Sequence, residues 1–74
     1  MNPIPGIYRH YTGKEYQVLC TAKHSETLED FVVYKTLYPN EISDIWVRPL
    51  EMFCEEVEID GKKIPRFKFI KAIF

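Results

Sequence analysis

The stretch richest in chemically useful groups is HSETLED at residues 24–30, which holds an imidazole, two hydroxyls and three carboxylates. Its histidine can act as a general base oriented by Glu26 or Glu29, and the hydroxyl of Ser25 or Thr27 can act as a nucleophile. Neighbours in sequence seldom converge on one reacting atom, however, and no glycine-flanked nucleophile turn accompanies them. The simpler interpretation is a turn in which these side chains accept hydrogen bonds from the local backbone.

Two arginines form a second group of candidates. Arg48 precedes a proline, which favours extended backbone, and its planar fork suits a ligand carboxylate or phosphate. The alternative is that Arg9 or Arg48 forms an internal ion pair with Glu26 or Glu29, since a partly buried arginine needs a partner. Trp46 has the same strand parity as Arg48, so both side chains are expected to reach one surface.

Aromatic side chains supply the remaining candidates. Tyrosines and Trp46 can line a groove for a peptide or a base, or they can fill the core of a small domain. His10 is the only other histidine besides His24. The candidate ligand-binding residues are Arg9, His10, His24, Ser25, Glu26, Thr27, Glu29, Tyr34, Trp46 and Arg48.

The composition limits the class of protein. The 74 residues predict a single domain spanning residues 1–74, and the 46% hydrophobic content argues against disorder. The apolar runs are far shorter than the ~20 residues that cross a bilayer, and no signal peptide is recognisable, so we expect a cytoplasmic protein. The net charge of −1 argues against a nucleic-acid binder. We expect no cofactor and no metal, and we expect Cys20 and Cys54 to be buried or partly buried free thiols.

Alternating patterns and turn residues predict a small all-β fold. Tyr16, Val18, Cys20 and Ala22 share one face of the second strand and are expected in the core. Asp60-Gly61 near the C-terminus predicts a hairpin, and the sequence leaves open whether its turn has two or four residues. A two-residue turn would pair the acidic residues at 55–58 with the basic residues at 63–66. We predict a small, strongly bent antiparallel barrel of five to six short strands. Strands are expected at residues 6–11, 16–22, 31–38, 45–48, 55–59 and 64–70, with one helical turn at 49–53 and an apolar tail at 71–74.

The ordered motifs resemble a known family. YRHY at residues 8–11, HSET at 24–27, VVY at 32–34 and WVRP at 46–49 are similar to the family called domain of unknown function 1653. The resemblance extends over nearly the whole chain, and it implies a small bacterial protein with an SH3-like barrel. It implies no activity.

Together these features favour a non-catalytic binding module over an enzyme. The expected ligand is a peptide, a protein partner or a small anion, held on a face made by the 24–29 loop, Trp46 and Arg48 with His10 nearby. One alternative is a small hydrolase or transferase that uses His10 or His24 with Glu26. Another is an obligate oligomer whose interface includes the Phe74 tail.

Overall fold

This computed structural model describes residues 3–73, which contain seven β-strands and one short helix. One antiparallel sheet has the strand order β4-β3-β2-β1-β7, and β5 and β6 form a separate two-stranded sheet. The predicted all-β class with one helical turn is confirmed. The larger sheet is compatible with an SH3-like barrel but does not close, because β4 and β7 remain at its two edges. The elements are β1 (Gly6–His10), β2 (Glu15–Lys23), β3 (Asp30–Thr36), β4 (Ile45–Pro49), α1 (Leu50–Phe53), β5 (Glu56–Ile59), β6 (Lys62–Pro65) and β7 (Phe67–Ala72).

The strand predicted at residues 64–70 is two strands that belong to different sheets. Arg66 lies between them and is bonded to both sides, because its backbone N–H donates to Glu55 O at 2.9 Å and its carbonyl accepts from Tyr11 N at 2.9 Å. This change of partner accounts for the seventh strand. β7 then continues into the predicted tail as far as Ala72, whereas Phe74 lies outside the described residues.

The β5–β6 hairpin has a two-residue turn. Asp60 and Gly61 both have positive φ angles, 52° and 79°, as a type I′ turn requires. Glu58 therefore lies opposite Lys63, and the acidic and basic blocks pair across the turn.

The second strand departs from its predicted faces at a bulge. Val18 pairs with Tyr34 and Cys20 pairs with Val33, which leaves Leu19 as the extra residue. Side chains after the bulge point to the opposite face from the one that simple alternation predicts. The placement of Cys20 and Ala22 in the core was therefore wrong, and both are exposed.

The core lies on one face of the larger sheet. Val18 and Val32 are 1% and 0% exposed at its centre, on adjacent strands. The helical turn α1 places Phe53 over this face, 3% exposed. The remaining members of the cluster are Tyr8, Tyr34 and Phe67, with Tyr16, Trp46 and Leu50 packed against it.

Close contact between β1 and β7 requires a glycine. A Cβ atom at Gly6 would lie 2.5 Å from the backbone oxygen of Lys71. Gly6 thereby allows the C-terminal strand to pair with the first strand. Among residues 3–73, no helix is long and apolar enough to span a membrane.

Candidate functional site

An open cleft at the β3–β4 side of the sheet gathers aromatic rings, hydroxyls and one guanidinium group. Its volume is about 220 Å³. The strand register brings its walls together, because Tyr16 pairs with Thr36 and Tyr34 pairs with Trp46 across neighbouring strands. We name this surface the tyrosine cleft, and its lining residues are Tyr16, Tyr34, Thr36, Tyr38, Asn40, Trp46 and Arg48.

Arg48 makes a cation–π contact with the Phe67 ring. Its Cζ lies 5.4 Å from the centroid of the Phe67 ring, and Phe53 stacks on that ring at 4.3 Å with an interplanar angle of 5°. Cation–π contact of this kind holds the guanidinium group against the ring while leaving its N–H edge available.

The ion pairs among residues 3–73 do not include Arg48. They join Arg9 to Glu15 at 2.8 Å, Lys23 to Asp30, and Arg66 to Glu55. The proposed internal pairing of Arg9 or Arg48 with a carboxylate of the 24–29 loop was therefore wrong. Arg9 finds its partner one strand away, because Arg9 and Glu15 are paired positions of β1 and β2.

Two phenol groups of the cleft are hydrogen-bonded to each other. The Tyr16 and Tyr38 hydroxyl oxygens are 3.0 Å apart, so one donates to the other and the second keeps a hydrogen to donate. Burial, followed by this hydrogen bond to Tyr38, raises the pKa of Tyr16 well above its ordinary value.

A buried hydroxyl lies in the floor of the cleft. Thr36 is only 5% exposed, and its Oγ1 has no hydrogen-bond partner among the described residues. Asn40 accepts a hydrogen bond from the Ile42 N–H through Oδ1, at 2.9 Å, so its amide nitrogen is the part left to donate. The Trp46 indole N–H is already used, because it donates to Ser43 O at 2.8 Å.

His10 lies beside the cleft, because its ring centroid is 6.4 Å from that of Tyr16, which lines the cleft. The Phe67 ring is closer, at 4.9 Å between centroids. His10 Nδ1 accepts a hydrogen bond from the Thr12 N–H at 3.3 Å and lies 2.7 Å from Thr12 Oγ1. A neutral ring therefore carries its proton on Nε2. Burial, and then the positive charges of Arg48 and Arg66, lower the pKa of His10 below the ordinary value.

The 24–30 run forms a hydrogen-bonded turn on the surface. His24 Nδ1 accepts from the backbone N–H groups of Glu26 and Thr27, at 3.1 and 3.3 Å. Thr27 Oγ1 accepts from the Glu29 N–H at 3.3 Å. Among residues 3–73, neither histidine ring is hydrogen-bonded to a carboxylate, so this part of the chain has no His–Glu pair of the kind that general-base catalysis uses.

The structure thus separates the candidate residues into groups. Tyr34, Trp46 and Arg48 line the tyrosine cleft, and His10 lies beside it. Arg9 is bound to Glu15 and exposed. The loop residues His24, Ser25, Glu26, Thr27 and Glu29 are exposed and do not line the cleft.

Several cleft residues were missed from the sequence. Thr36 and Tyr38 share a strand face with Tyr34, and this parity was the signal that could have found them. Tyr16 was assigned to the core by the same rule. Asn40 carried no local signal, because its place in the cleft depends on a loop. Phe67 does not line the cleft but contacts Arg48, and its position depends on pairing with a distant strand.

A larger hollow of about 370 Å³ lies near the edge strand β7. Apart from the Tyr8 hydroxyl and the Cys54 thiol its lining side chains are apolar, and the Tyr8 hydroxyl is already bonded to Ile4 O at 2.8 Å. We therefore regard the smaller cleft as the better candidate site. The lining residues are Pro3, Ile4, Tyr8, Phe53, Cys54, Phe67 and Phe69.

The cysteines do not form a site. Cys20 and Cys54 are free thiols, as predicted, but both are exposed, so the expected burial was wrong. Within residues 3–73, no three His, Cys, Asp or Glu side chains gather as metal ligands.

Comparison with known proteins identifies the family. The model of the family described as "Protein of unknown function (DUF1653)" matches residues 6–69. A crystal structure of a DUF1653 protein from Bordetella bronchiseptica is similar, with a TM-score of 0.86 and 36% sequence identity. The match covers 95% of this chain and 90% of that one. No curated protein matches the chain. The chain belongs to the DUF1653 family.

Proposed function

We propose that this DUF1653 protein is a non-catalytic binding module whose tyrosine cleft holds a small anionic or peptidic ligand. The observation that carries the proposal is Arg48, a guanidinium group in cation–π contact with Phe67 and without an ion-pair partner among the described residues. An arginine used only for structure would ordinarily be paired, because a partly buried unpaired charge is costly.

The surroundings of Arg48 support binding. The Tyr34 and Trp46 rings offer apolar contact, and hydroxyl groups of the same cleft supply hydrogen bonds. A concave site with rings and a few polar groups is the usual design for ligand recognition. The unpartnered hydroxyl of Thr36 fits this function, since polar groups kept in a core at a cost in stability cluster at functional sites.

Binding is favoured over catalysis by the arrangement of the histidines. His10 is hydrogen-bonded to Thr12, and His24 to its own backbone turn. Neither has a carboxylate hydrogen-bonded to its ring among residues 3–73. The Thr12 hydroxyl beside His10 Nδ1 therefore lacks the base, oriented by a third group, that would activate it as a nucleophile.

A ligand screen tests the proposal. Isotope-labelled protein is titrated with a library of metabolites, nucleotides and peptides while the amide spectrum is recorded. We expect a hit to shift the amides of Tyr16, Thr36, Trp46 and Arg48 together. Hits that cluster on the 24–29 loop, or on the larger hollow near β7, would place the site elsewhere. A library without hits would contradict a small-ligand function.

Matched arginine variants complete the test. Arg48→Gln should abolish the shifts, whereas Arg9→Gln should leave them unchanged. Arg9 is exposed and paired with Glu15 on another surface, and such a pair contributes little to stability. Equal loss of binding in both variants would remove Arg48 from the site.

A further inference from the structure

The charged side chains at the tyrosine cleft favour an anionic ligand. Its lining includes Arg48 and no carboxylate side chain. A second positive charge lies at the rim, because Lys14 Nζ is 4.4 Å from the centroid of the Tyr38 ring. A cationic ligand would meet two like charges there, and one face of Tyr38 already has a cation over it.

The polar groups of the cleft are mainly donors. Arg48 offers its N–H edge, the Tyr16–Tyr38 pair keeps one hydroxyl hydrogen, and Asn40 keeps its amide nitrogen. A ligand that satisfies these groups must present acceptor oxygens.

The volume of the cleft suits a small molecule or a terminal group. About 220 Å³ corresponds to roughly seven water molecules, and it is smaller than the roughly 300 Å³ at which drug-sized pockets begin. One ring with one anionic group fits this space.

The walls of the cleft favour a flat apolar body. Tyr16 and Tyr34 meet edge to face, with centroids 5.3 Å apart and planes at 87°, and Trp46 lies opposite Tyr34 in the strand register. Offset and edge-to-face packing against such rings stabilises a flat aromatic partner.

The lining of the cleft favours a carboxylate over a phosphate. The parallel N–H groups of one arginine fork match two oxygens of either group, so the guanidinium group alone does not decide between them. Phosphate sites usually add a glycine-rich loop or a nest of backbone N–H groups, and no glycine lines this cleft. We infer that the ligand of the tyrosine cleft is a carboxylate carried by a small flat ring and held by Arg48, an assignment that rests on the proposed function.

The test uses ligands that differ only in charge. Benzoate and benzamide have the same ring, but only benzoate carries the carboxylate. Titrated into the labelled full chain, benzoate should shift the amides of Thr36, Trp46 and Arg48 and bind at least about tenfold more tightly than benzamide, as expected for charge-assisted hydrogen bonds. Because this comparison uses the unaltered protein, it does not depend on any variant folding.

Two variants test whether Arg48 holds the carboxylate, and a second pair of ligands tests which kind of molecule carries it. Arg48→Lys keeps the charge but removes the fork, so benzoate should bind about tenfold more weakly, while Arg9→Lys should bind as the wild type does. N-acetylphenylalanine and its amide test a peptide C-terminus in the same way. Tighter binding of N-acetylphenylalanine than of benzoate would identify the source as a peptide terminus, and the reverse would identify a free aryl acid.

The outcomes separate this inference from the broader function. Equal binding of benzoate and benzamide, or inorganic phosphate binding more tightly than benzoate, would overturn the carboxylate assignment while leaving the cleft a binding site. No shift with either carboxylate would also overturn it, and the library screen would then decide whether the cleft binds anything.

Discussion

Replacing Thr36 with valine should make the protein more stable. The Thr36 side chain is 5% exposed in the floor of the tyrosine cleft, and Oγ1 has no hydrogen-bond partner among the described residues. Valine has nearly the same shape without the hydroxyl group. Leaving a buried polar group unpaired costs about 1–3 kcal/mol, so Thr36→Val should recover about 1 kcal/mol of unfolding free energy.

Thermal and urea denaturation measure this gain. For a domain of this size, 1 kcal/mol corresponds to a rise in Tm of about 4–8 °C. Thr27→Val is the matched control, because the Thr27 hydroxyl does accept a hydrogen bond, from the Glu29 N–H at 3.3 Å. This second substitution should lower stability by about 0.5–1 kcal/mol.

The pair of variants can refute the reasoning. If Thr36→Val lowers the Tm as Thr27→Val does, the Thr36 hydroxyl makes a stabilising interaction in solution. The Thr36 hydroxyl would then stabilise the fold, and it would no longer support a ligand site in the cleft.

Three further predictions concern the loop, the pH dependence and the first strand. In urea titrations, His24→Ala should lower the unfolding free energy by about 1 kcal/mol, because it removes the acceptor of two backbone N–H groups. Glu26→Ala is the control and should have no measurable effect, since Glu26 contributes only its backbone N–H to the turn. Equal losses in the two variants would contradict the turn described. Burial and nearby positive charge lower the pKa of His10 in the folded protein below its ordinary 6.5. As the pH falls, this side chain is therefore protonated in the unfolded chain before it is protonated in the folded one. The unfolding free energy should decrease as the pH drops below about 6.5, until folded His10 is protonated too. Stability curves at several pH values should show this slope in the wild type and lack it in His10→Gln, and an unchanged slope would exclude His10 as its source. Gly6→Ala should cost about 1–3 kcal/mol in thermal denaturation, because its Cβ would lie 2.5 Å from Lys71 O, and a wild-type Tm would show that β7 moves aside readily.

Local patterns predicted much of the fold. The Asp-Gly dipeptide between alternating strands indicated the hairpin, and the acidic and basic blocks favoured the two-residue turn that the structure has. Two features could not be predicted. The bulge at Leu19 depends on how β2 pairs with β3, and the break at Arg66 depends on hydrogen bonds to Glu55 and Tyr11, which are distant in sequence.

The candidate site was predictable in part for the same reason. Strand parity correctly brought Trp46 and Arg48 to one surface. The loop at residues 24–30 drew attention because of its residue types, but its hydrogen bonds are local and it lies outside the cleft. Phe67, which makes the cation–π contact with Arg48, reaches the site through β7 pairing with β1, and no local pattern encodes that contact.

The side-chain Nε–H signals of the three arginines test the central claim most directly. Arg9 Nε already donates to Glu15 Oε2 at 3.2 Å and serves as the internal reference, whereas none of the hydrogen bonds or ion pairs described for residues 3–73 involves the Arg48 guanidinium. When a ligand is added to labelled protein, the Arg48 signal should shift while the Arg9 signal stays in place. A ligand that shifts the loop amides of His24 and Glu26 and leaves the Arg48 signal unmoved would contradict the account.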